Sequence, residues 1–126
     1  MVFDRILNEV PVGLVLRTPV QGKKFKVVAK EPERLVFLAG ITHIEVSKDC
    51  WNGVPDFLKG KGWVEIRAEH VVLEKLREGS FERYLREHSV NDKSRESQAC
   101  YVVPLLEHIG IVEIDPSPPS RVRLKV

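Results

Sequence analysis

Residues 100–114 read Cys-Tyr-Val-Val-Pro-Leu-Leu-Glu-His-Ile-Gly-Ile-Val-Glu-Ile, and this stretch decides the fold. Val102, Leu105, Leu106 and Ile109 recur at helical spacing, Gly110 supplies a stop, and residues 111–114 return as an apolar strand. The next six residues, Asp115-Pro-Ser-Pro-Pro-Ser, carry three prolines. Proline fixes φ and donates no hydrogen bond, so they form an extended exposed connector. A last strand over 121–126 then alternates strictly. Val122, Leu124 and Val126 face inward, and Arg121, Arg123 and Lys125 form a row of three positive charges outward.

Upstream of this junction the apolar residues keep helical period. The spacing predicts a helix over 95–109 with Ala99 on its core side and a kink at Pro104. Phe81, Tyr84, Leu85 and His88 predict a second helix over 81–88, with Ser80 as its N-cap. Val72, Leu73 and Leu76 predict a third over 68–77, and the polar run 89–93 connects the later two. Three helices followed by a hairpin, through Leu105-Leu106-Glu107-His108-Ile109-Gly110-Ile111-Val112-Glu113, resemble the winged helix-turn-helix DNA-binding family over residues 68–126. That resemblance implies a third helix entering the major groove, with Lys93, Ser94, Arg95, Ser97, Gln98 and Tyr101 meeting bases and phosphates. It also implies that Arg121, Arg123 and Lys125 lie along the backbone or minor groove. Double-stranded DNA and a homodimer are the corresponding partners.

The first half is rich in strand formers. Runs at 13–18, 24–29, 35–38 and 43–47 are separated by turn residues, after an amphipathic start marked by Phe3, Ile6, Leu7 and Val10. A short helix over 50–60 tolerates Pro55 in its first turn and stops at Gly60 and Gly62, and 63–67 returns as a strand. Residues 50–66 thus repeat the script of 100–114, which shared packing physics explains better than duplication. The stretch Ile41-Thr-His-Ile-Glu-Val-Ser-Lys-Asp-Cys, with Val54-Pro-Asp-Phe-Leu and Lys61-Gly62-Trp63-Val64-Glu65-Ile66, is similar to AbrB-type swapped-hairpin transcription factors. Lys23, Lys24, Lys26 and Lys30 read as guards of an exposed sheet edge. Trp51 and Trp63 are expected in or near the core.

The expected fold class is α+β: a small strand-rich, barrel-like half over 1–67 against a winged-helix-like half over 68–126. At 126 residues, 43% hydrophobic and 30% charged, the chain falls in the soluble globular range and has no apolar run of membrane-spanning length. The start, Met1-Val2-Phe3-Asp4-Arg5, lacks a signal-peptide layout, so a cytoplasmic location is expected. Few Asn and Gln beside many Val, Glu and Lys suggest a thermophilic source. A net charge of +2 leaves any acidic partner to charge distribution. Cys50 and Cys100 lack paired spacing and read as buried thiols; a disulfide is the alternative.

No phosphate loop, nucleophile elbow or triad order is present, and no cofactor is implied. The expected function is therefore non-enzymatic DNA binding or transcription regulation. A protein-interaction module without nucleic acid is one alternative. The other is a metal-dependent nuclease, because Glu45-Val-Ser-Lys48 with Asp49 is similar to carboxylate-plus-lysine sites. His43 shares a strand face with Glu45 and would be a further ligand there.

Overall fold

A computed structural model describes residues 1–67, 69–88 and 97–125. The chain is α+β, with four helices and two antiparallel sheets among these residues. After α1 (Val2–Glu9), the strands β1 (Val15–Arg17), β2 (Lys24–Glu31), β3 (Arg34–Ala39) and β4 (Thr42–Ser47) form a meander in the order β1-β2-β3-β4. The sheet stays open instead of closing into a barrel. β2 lies between β1 and β3, so Lys24 and Lys26 do not guard an edge; they stand on the outer face of an interior strand. A bulge between Val27 and Ala29 then turns Lys30 inward, where its Nζ donates to the Leu7 carbonyl of α1 at 2.9 Å.

The inner face of this sheet is covered by α1, α2 (Lys48–Leu58) and α4 (Ala99–His108). Phe25 and Tyr101 meet edge to face at 5.0 Å, Phe25 and Phe37 at 5.2 Å, and Trp51 lies 6.1 Å from Phe37. The Trp51 indole N–H reaches the Val46 carbonyl at 3.2 Å, which satisfies its one polar atom inside the core. Helix α4 touches β1 and, through Gln98 Nε2 on the Glu45 carbonyl at 3.4 Å, also β4. It therefore fills the open side of the meander between the two edge strands.

The second sheet has the order β5-β7-β6, from β5 (Val64–Glu65), β6 (Val112–Asp115) and β7 (Arg121–Leu124). Each outer strand follows a helix and a glycine. At the end of α4 the Ile111 N–H bonds the Leu106 carbonyl at 2.9 Å and the Gly110 N–H bonds that of Glu107 at 3.0 Å, with Gly110 at φ 79°. This left-handed stop needs glycine. The likeness of 50–66 to 100–114 thus has a structural counterpart: α2 delivers β5 and α4 delivers β6, one on each side of β7. β5 pairs with β7 across the expected division at 67/68, and one hydrophobic cluster runs from Phe3 to Val122.

The helix expected over 68–77 is not formed in the described residues. A single 3-10 turn, Leu73–Lys75, stands there instead. Side chains of α3 (Phe81–Glu87) tie this segment down: Arg86 Nη2 donates at 2.9 Å to the Val71 carbonyl, which a helix would use, and Arg83 Nη1 at 2.7 Å to that of Leu76, which a helix ending at 77 would leave open. A segment whose carbonyls are satisfied from outside gains little by winding into a marginal helix. Ser80 caps α3 as predicted, accepting from the Arg83 N–H at 3.1 Å. Gly53 lets α3 approach α2, since a Cβ there would lie 2.7 Å from the Tyr84 hydroxyl.

Candidate functional site

Helix α4 begins at Ala99, later than predicted, and continues through Pro104 to His108. Its first turn is capped from another helix. The Glu82 carboxylate of α3 accepts from the Gln98 N–H at 2.9 Å, the Ala99 N–H at 3.2 Å and the Ser97 hydroxyl. A carboxylate at a helix N-terminus meets both unsatisfied donors and the positive end of the dipole. Glu82 and Arg86 are each 1% exposed. Burial raises the Glu82 carboxyl above its ordinary value, against the pull of the Ser97 hydroxyl, the two N–H groups and the Arg86 charge.

Ser97 and Gln98 are buried around this cap, and Tyr101 is buried between α4 and the meander against Phe25 and Phe37. These three residues, expected to touch DNA, instead hold the helix in the core. Residues 97–106 are buried without interruption, and only Glu107 and His108 of α4 are exposed. The reason is the second sheet-like surface that α4 must cover: one side faces β6 and α3, the other the meander. Lys93, Ser94 and Arg95 lie outside the described residues, as does the connector 89–93.

Arg121, Arg123 and Lys125 do share the exposed face of β7. Their charge is largely met across the register with β6. Arg121 Nη2 lies 3.3 Å from Asp115, and Arg123 lies 2.9 Å from Glu113. The Arg123 guanidinium also covers the Trp63 ring at 4.3 Å. Trp63 is 38% exposed, so it is a surface platform for Arg123 and not a core residue. The Asp115 carboxyl is held below its ordinary value by the Ser117 N–H first, and then by Arg121. Because such exposed pairs contribute little, the double substitution Arg121→Ala, Arg123→Ala should move the melting temperature by no more than about 3 °C in a calorimetric scan. A larger fall would make the ladder a structural element.

Glu45 stands on β4 with Arg34 3.4 Å away, and His43 is exposed two residues before it. Among the described residues, no three His, Cys, Asp or Glu side chains gather as metal ligands. Neither cysteine forms a disulfide, and both are buried. Burial pushes the Cys100 thiol up to about 11, which keeps it protonated and weakly nucleophilic near neutral pH.

A hollow that the sequence did not announce lies between the tip of the β1–β2 hairpin and the second sheet. It has a volume of about 280 Å³ and is lined by Thr18, Pro19, Val20, Gln21, Lys23, Ile66, Arg67, His70, Cys100, Tyr101 and Ser120. Arg67 adopts φ 39°, the one described non-glycine residue in the left-handed region. A non-glycine residue held there stores about 1–2 kcal/mol. Its guanidinium lies 2.9 Å from Glu69 and 3.9 Å from Glu65. His70 Nδ1 accepts from the Ser97 N–H at 3.4 Å. The sequence signal was weak because Arg67, His70 and Lys23 are far apart in the chain and follow no spacing rule.

No protein-family model, curated protein or solved structure matches the chain. Among the described residues, no helix is long and apolar enough to cross a membrane.

Proposed function

We propose that this chain is a non-enzymatic protein-interaction module whose winged-helix-like half serves as a packing scaffold. Helices α2, α3 and α4 followed by the β6–β7 hairpin supply the helix count and hairpin that the resemblance calls for, with α2 in place of the helix expected over 68–77. The observation that carries the reading is the burial of residues 97–106, which leaves α4 no face for a DNA groove. Groove reading needs a helix whose side chains reach base edges.

At one end of the meander's outer face Glu31 and Glu45 meet Arg34, whereas the β1–β2 end carries cations side by side. Arg17 stands opposite Lys24, and Val15 opposite Lys26, which neighbours Leu38 and then His43. Val15 is 53% exposed and Ile41, at the β3–β4 tip, is 97% exposed. Cations interleaved with apolar side chains suit an acidic protein segment that also carries apolar residues. The test is affinity capture from the native lysate with the wild type and with Lys24→Glu, Lys26→Glu, both nuclease-treated. A protein retained by the wild type and lost from the charge-reversed chain is expected. Identical retention by both, or retention that nuclease abolishes, overturns the reading.

A second reading rests on the shared exposed face of Arg121, Arg123 and Lys125: contact with the DNA backbone along β7, by a regulator acting as a dimer. Phosphate contact releases counterions, so affinity for duplex DNA would fall steeply with salt. On the interaction reading, fluorescence anisotropy should show binding no tighter than about 1 mM at low salt.

A further inference from the structure

We propose that the hollow between the β1–β2 tip and the second sheet is a binding site for a small organic carboxylate. Two cationic residues from separate elements, Lys23 on the hairpin and Arg67 after β5, line the same space, together with His70 and Ser120. No carboxylate lines it among the described residues. Glu65 and Glu69 approach Arg67, but neither borders this space. The remaining wall includes Val20 and Ile66, so a charged head and an apolar body are both accommodated. A concave site with a few convergent donors on an otherwise apolar wall is the usual form of a small-molecule pocket. The volume of about 280 Å³ admits a single small ring or short branched chain.

Arg67 gives the site its second line of support. The left-handed backbone at φ 39° is costly for arginine and costless for glycine. The guanidinium is held by Glu69 at 2.9 Å and Glu65 at 3.9 Å, so a carboxylate in the hollow would share it with them. Its fork also matches a carboxylate bidentately, which the Lys23 ammonium does not.

The probe is benzoate, with benzamide as its uncharged counterpart and inorganic phosphate as the anion without an apolar body. In 15N-resolved spectra of the full chain, benzoate should shift the amides of Lys23, Ile66, Arg67 and Ser120 saturably, with Kd of about 1–10 mM. Benzamide and phosphate should each bind at least about fivefold more weakly. Arg67→Gly should weaken benzoate about fivefold or more while leaving the melting temperature unchanged or higher, because it relieves the backbone. Lys23→Gln, at an exposed position, gives the same readout without touching the backbone. The proposal is overturned by shifts that do not saturate, by equal affinity for benzamide or phosphate, or by unchanged affinity in both variants. It does not depend on the partner reading, since none of these measurements involves a protein partner.

Discussion

Replacing Glu82 with alanine should cost about 3–5 kcal/mol of folding stability, a large share of the roughly 5–15 kcal/mol that holds a domain together. Two losses coincide. The carboxylate satisfies the Gln98 and Ala99 N–H groups at the start of α4, and alanine leaves both donors buried. It also attracts the Arg86 guanidinium, which is 1% exposed, and alanine removes that attraction. Urea titration followed by far-UV circular dichroism reads the loss as a fall in midpoint at constant slope. Replacing both residues by apolar ones, Glu82→Leu with Arg86→Met, should recover part of it, because neither site then has a buried charge to desolvate. If Glu82→Ala costs less than about 1 kcal/mol, the cap is not formed as described.

The same carboxyl makes stability depend on pH in a definite direction. Burial raises its folded value above the ordinary 4.5. Between those two values the folded chain holds a proton that the unfolded chain has released, so acid favours folding there. The part of the Glu82 contribution that depends on its proton is complete below about pH 4.5 and is lost as pH rises through the folded value. Glu82→Gln keeps the shape and removes the titration. The stability difference between wild type and Glu82→Gln should therefore shift toward the wild type as pH falls from 7 toward 4, in parallel urea titrations. A difference that is flat, or that moves the other way, would mean that the donors around Glu82 outweigh its burial.

The legible parts of this molecule are those in which neighbouring residues decide the outcome. The meander, the helix–Gly110–strand junction, the Ser80 cap and the alternation of β7 all follow from periods and turn chemistry within a few residues. What was not legible depends on residues distant in sequence. The 68–77 segment has a helical apolar pattern, yet the Arg86 side chain, fifteen residues on, claims its Val71 carbonyl. The β7 row reads as three positive charges, but Glu113 and Asp115 meet two of them only once the register of β6 is known. The near-copy at 50–66 reads as shared packing physics, and only the pairing of β5 with β7 shows that it supplies the other edge of the sheet that β7 centres. The hollow joins Lys23, Arg67 and His70 from three separate segments, and no local rule connects them.

Tyr101 separates the two accounts of α4 most sharply. As a groove-reading residue it would be exposed, and Tyr101→Ala would reduce affinity for DNA while leaving stability nearly unchanged. As placed, its ring lies 5.0 Å from Phe25 and 6.2 Å from Phe37, and the residue is 7% exposed. Removing a buried aromatic ring deletes its transfer free energy and leaves a cavity that a close-packed core only partly fills. Tyr101→Ala should therefore cost about 3–4 kcal/mol, with Tyr101→Phe costing about 1 kcal/mol because the ring contacts survive. Phe25→Ala, on the other side of the same contact, should not add its full cost to that of Tyr101→Ala, since each removes the partner of the other. This non-additivity is the decisive readout. Two independent, additive losses would place α4 away from the meander, and the interior helix with it.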